Sequence, residues 1–100
     1  MLRSMADFPF TLSGPLSRRQ IARDRPLAEG RRYRVWLSIA ELDRGSVCVW
    51  VGGNRTPFFA APGEHVAEVE AGERQDVMVQ GLDAVATIAG VAIKEAAQED

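Results

Sequence analysis

The feature that most constrains this chain is a period-two alternation in Arg32–Ala40. Tyr33, Val35, Leu37 and Ile39 fall on one face, and Arg34, Trp36 and Ser38 fall on the other. That is the period of a strand with one face buried, and its β-branched and aromatic residues agree. The pattern returns in Ser46–Val51, with Val47, Val49 and Val51 inward and Cys48 and Trp50 outward. It returns again in Asp76–Gln80, with Val77 and Val79 inward. Asp7–Leu12 alternates through Phe8, Phe10 and Leu12, and Pro9 marks it as an edge strand because proline lacks a ladder donor. In residues 64–70, Val66 and Val69 fall on opposite faces, which calls for a bulge. Ala84–Lys94 is rich in alanine, but Val85, Thr87, Ile88, Val91 and Ile93 are mostly β-branched and Gly90 interrupts them, so it reads as a strand or bulged strand.

Turn signals separate these runs. Ser13-Gly14-Pro15, Gly52-Gly53-Asn54, Ala61-Pro62-Gly63, Ala71-Gly72-Glu73 and Gly81-Leu82-Asp83 read as turns, and Glu41–Gly45 reads as a hairpin connection. Residues 16–30 read as irregular or as one short helical turn capped by Ser17 and closed at Arg25-Pro26. Six to seven short strands at a spacing of roughly 10 residues predict an all-β fold, a small antiparallel β-sandwich or barrel. The chain has the length of one domain. Residues 7–95 are assigned to it, residues 1–6 to a disordered extension and residues 96–100 to a frayed tail.

Composition and motifs narrow the function classes. An apolar share of 46% argues against disorder. No apolar run approaches the roughly 20 residues of a membrane-spanning helix. Met1–Phe8 carries no continuous apolar run of the secretory type, which predicts synthesis in the cytoplasm without a signal peptide. Cys48 is the sole cysteine and His65 the sole histidine, so no intrachain disulfide, zinc site or His-based triad is expected. Glu68 and Glu70 share a strand face and read as solvated, not as a glycosidase pair. The expectation is a non-enzymatic protein without cofactor or metal.

The net charge of -2 hides an asymmetry. Residues 1–50 hold nine arginines against five acids, and residues 51–100 hold three basic residues against nine acids. Either basic and acidic strands pair across a sheet, or the arginines form a patch for an anionic ligand. Trp36 and Trp50 lie on the faces opposite the valines. A hairpin pairing Ile39 with Val47 sets Trp36 across from Trp50; a shift of two residues sets it across from Cys48. Such a face is either covered by a loop or an oligomer partner, or it is an aromatic platform for a sugar ring, with Arg34, Asn54 and Arg55 as its polar groups. Stacking of single-stranded nucleic acid on an OB-like barrel is disfavoured by the overall charge.

Five segments carry a family likeness: Gly30–Leu37, Gly45–Gly53, Pro62–His65, Val69–Gly72 and Ala86–Lys94. In that order, from about Leu27 onward, the chain resembles the jelly-roll carbohydrate-binding-module-like domains of glycosidases and of bacteriophage tail or fibre proteins. The resemblance implies a jelly-roll sandwich, glycan binding through Trp36 and Trp50, and a place on a phage or phage-like particle. A structural assembly subunit, using the tryptophan face or the arginine-rich segment for protein contacts, is the alternative.

Overall fold

The computed structural model describes residues 2–3, 8–21 and 26–96. Their strands are β1 (Leu2–Arg3), β2 (Phe10–Gln20), β3 (Arg32–Val51), β4 (Asn54–Arg55), β5 (Gly63–Glu70) and β6 (Val77–Glu95). All belong to one antiparallel sheet, and the described residues include no helix. The all-β antiparallel expectation holds. The division into strands does not, because Arg32–Ala40 and Ser46–Val51 are one continuous strand, β3, and Asp76–Gln80 and Ala84–Lys94 fuse into β6 in the same way. The hairpin expected at Glu41–Gly45 and the turn expected at Gly81–Asp83 are bulges.

Side-chain parity explains the difference. In β3, Ile39 is buried, Ala40 and Glu41 are exposed, Leu42 packs against the core, and Val47 is buried again. In β6, Leu82 and Asp83 are both exposed between buried Gly81 and Ala84, and a second slip falls at Ala89–Gly90. Each slip is a residue that the ladder leaves unmatched, and each bends the strand. The β3–β6 register shifts four times between Ser38 and Ser46. Gly45 has φ 79°, and a Cβ there would stand 2.3 Å from the Asp83 carbonyl oxygen. Asp83 itself has φ 49°. Glycine at 45 is thus what lets the two bent backbones touch.

The bend is large. A straight strand of 20 residues would run about 66 Å, yet the longest dimension of the molecule is 42 Å. Both ends of β3 return to the same dipeptide: Ala71 N–H donates to the Arg31 carbonyl at 2.8 Å and Gly72 N–H to the Gly52 carbonyl at 2.9 Å. β6 follows β3 throughout, from Val51↔Val77 to Tyr33↔Glu95. The sheet therefore curls on itself, and its two halves share one core. Tyr33, Val35, Leu37, Ile39, Ile88, Val91 and Ile93 come from one half, and Val47, Val49, Val51, Val77 and Val79 from the other.

The remaining strands line the two edges. β2 pairs with β6 from Phe10↔Ile88 to Gln20↔Met78, and so runs through the turn expected at Ser13-Gly14-Pro15 and into residues 16–20, expected to be irregular or helical. Residues 22–25 and 97–100 of the expected loop and tail lie outside the described residues. Leu2 and Arg3, assigned to the N-terminal extension, form β1 against Ile93 and Ala92. β5 pairs with β3 unbroken from Gly63↔Ile39 to Glu70↔Arg32. No bulge is needed in β5, because Val69 is buried and Val66 points outward into solvent. Part of the charge asymmetry is matched here: Arg34 meets Glu68 at 2.9 Å, and Arg32 lies opposite Glu70.

Substitution separates the bulge glycine from an ordinary one. Gly45→Ala meets both a positive φ and backbone, so it is expected to destabilise by about 2 kcal/mol or more, lowering the melting temperature by roughly 8–16 °C. Gly90→Ala, with no atom within 4 Å of the added Cβ, is expected to change stability by less than about 1 kcal/mol. Equilibrium denaturation of the two variants checks the pair.

Candidate functional site

The β5–β3–β6 register builds the outer face of the first half row by row. Arg34 stands between Glu68 and Lys94, Trp36 between Val66 and Ala92, and Ser38 between Glu64 and Gly90. A bulky indole thus has only Ala92 beside it toward β6, with Ser38 and Gly90 in the next row. A hollow opens beside it, lined by Trp36, Ser38, Glu64, Gly90 and Ala92 together with Leu37 and Val91. The lining is mostly apolar, with the Glu64 carboxylate and the Ser38 hydroxyl as polar groups. Trp36 is half-buried and makes no side-chain hydrogen bond among the described residues. This is the pattern of a small-ligand subsite: an apolar wall with a few polar groups on its rim.

Trp50 is held differently. It lies at the far end of the same strand, so the Trp36–Trp50 pair expected from a hairpin does not form. Its Nε1–H donates to Gln80 Oε1. Its ladder neighbours are Met78 and Arg55. Arg55 stacks its guanidinium 4.6 Å over the Phe58 ring and donates to the Thr56 carbonyl at 3.0 Å. Asn54 Nδ2 donates to the Glu70 carbonyl at 2.7 Å, tying β4 to the end of β5. The structure therefore divides the expected site residues into two groups. Arg34 stands beside Trp36, and Asn54 and Arg55 stand with Trp50. Glu64, Gly90 and Ala92 were not among them, because only the strand register reveals that they surround the indole, whereas Ser38 shares its face by the strand period alone.

The other reactive side chains are engaged or covered. The His65 ring stacks on Phe59 with centroids 4.5 Å apart, and its Nε2 donates to the Ala61 carbonyl at 2.7 Å. Glu68 is shared by Arg34 and Arg32. No group of three His, Cys, Asp or Glu side chains is placed to hold a metal ion among the described residues. No helix among them is long and apolar enough to cross a membrane. No model of a known protein family matches the chain, and comparison with curated proteins finds no relative.

Cys48 is fully buried despite its outward register. Burial pushes its thiol up to about 11, against the smaller opposing pull of the Arg55 charge and the Trp50 N–H. The thiol ionises first in the unfolded chain, near 9. The stability this thiol contributes is therefore intact below pH 9 and declines as pH rises from about 9 to about 11. Two outcomes are expected: Cys48 resists alkylation at pH 8 until denaturant is added, and Cys48→Ala flattens the alkaline decline measured by urea titration.

Proposed function

We propose that the chain is a non-enzymatic, glycan-binding β-domain that takes one sugar residue in the hollow beside Trp36. The observation that carries this reading is the half-buried indole with Gly90, Ala92 and Ser38 beside it and Glu64 at the rim. A pyranose ring presents C–H groups that lie against an aromatic face, while its hydroxyls donate to a carboxylate and exchange hydrogen bonds with a serine. Arg34 is already matched by Glu68 at 2.9 Å. Little net cation is left beside the indole, which favours a neutral sugar over a phosphate backbone. The companion fold reading takes the two halves of the curled sheet as the layers of a jelly-roll-like sandwich. The setting that goes with it is an adhesive component of a phage-like particle.

A shallow single-ring site binds weakly, so the first screen is a multivalent glycan array. The best hit is then titrated against Trp50→Phe, in which Trp36 is the only tryptophan, with excitation at a wavelength that tyrosine does not absorb. A saturable change in emission is expected. Trp36→Ala should weaken binding at least tenfold, about 1.4 kcal/mol. Gly90→Leu, which fills the hollow and keeps the indole, should do the same. An empty array, or undiminished binding by Trp36→Ala, contradicts the reading.

A further inference from the structure

Among the described residues the sheet has two open edges; β2 is the longest strand on the edge along β6, and β5 the longest on the edge along β3. Exposed strand edges are templates for another strand. These two are complementary in two respects. β2 carries Arg18 and Arg19 and no acid, whereas β5 carries Glu64, Glu68 and Glu70 and no lysine or arginine. The described residues contain three exposed large hydrophobics: Leu16 at 53%, Val66 at 53% and Leu82 at 42%. Leu16 lies on β2 directly opposite Leu82, and Val66 lies on β5 directly opposite Trp36. Pairing throughout the sheet is antiparallel, and the junction between copies is taken in the same sense.

We infer that this protein self-assembles head to tail, the β2 edge of one copy pairing with the β5 edge of the next. Setting Leu16 opposite the neighbour's Val66 completes one outward apolar row, Leu82–Leu16–Val66–Trp36, across the junction. The same register sets Arg18 opposite the neighbour's Glu64, on that same outward face. Neither Arg18 nor Glu64 has an ion-pair partner among the described residues. The ladder is short. Pro15 interrupts β2 on one side of Leu16, and the opposite end of β5 is occupied by Asn54 on the Glu70 carbonyl. Association is therefore weak per junction and depends on concentration. Because the contact is heterologous, it generates a ring or a filament and not a two-fold dimer.

Sedimentation velocity in low-salt buffer, from micromolar to near-millimolar protein and without sugar, tests the junction. The mean mass of the native chain should rise with concentration and fall when salt is added. Arg18→Glu and Glu64→Arg should each shift association about tenfold upward in concentration, with circular dichroism and melting unchanged. An equimolar mixture of the two variants should recover the native behaviour, as should the double variant, because every junction then meets opposite charges. Leu16→Gln, which changes no charge, should weaken association as well. A monomer at every concentration overturns the inference. Association that survives either single reversal, or single variants whose mixture does not recover, overturns it in favour of a like-with-like contact.

Discussion

Everything in this molecule depends on two strands bending together. β3 and β6 are too long to lie straight in a domain of this size, and neither can bend alone without losing the ladder between them. Bulges in both, clustered at residues 39–46 and 82–90, let the pair turn while most of its pairing persists. The backbone contact of Gly45 with Asp83 and Ala84 is where the two bulges lock. Once the bend is made, the inward valines of both halves meet in one core, and Ala71–Gly72 bridges the two ends of β3. Burial of that core is the term that holds the curl closed.

The outer surface follows from the same geometry. The bend puts Trp36 and Trp50 on different halves of the curled sheet and gives them different work. Trp50 is spent on structure, hydrogen-bonded to Gln80 in the row above buried Cys48. Trp36 sits among small residues, with solvent access and no polar partner of its own among the described residues. A chain that places a large aromatic beside glycine, alanine and serine leaves space that a ligand can fill. If copies join edge to edge, such hollows repeat along the assembly, and weak single-ring binding becomes useful through effective concentration.

Local patterns in the sequence are a good guide to strand content and a poor guide to continuity. The alternations at Tyr33–Ile39 and Val47–Val51 place the right side chains inside, since period two depends only on neighbours. The Gly52–Gly53 turn is equally local: both glycines take positive φ and fold β4 back on β3. The stretches Glu41–Gly45 and Gly81–Asp83 mislead, because a bulge and a turn use the same residues. Glycine and aspartate supply the unusual φ in either case, and only the distant partner strand decides between them. That Val66 and Val69 cannot share a face was likewise visible, but not which of them turns outward, since a bulge and an exposed valine give the same sequence. Trp36 stood out as an unexplained outward indole, whereas its hollow depends on a three-strand register that no local pattern encodes.

The continuity of β3 is the claim on which the core, the separation of the tryptophans and the position of both free edges rest. Nuclear Overhauser contacts in a uniformly labelled sample test it directly. A bent continuous strand requires backbone cross-strand contacts from both halves of β3 to β6, such as Ser38 with Gly90 and Val47 with Gly81, and no backbone cross-strand contacts between Ile39 and Val47. Backbone contacts between Ile39 and Val47, or contacts between the Trp36 and Trp50 rings, would mean a hairpin at Glu41–Gly45 and contradict the structure described above.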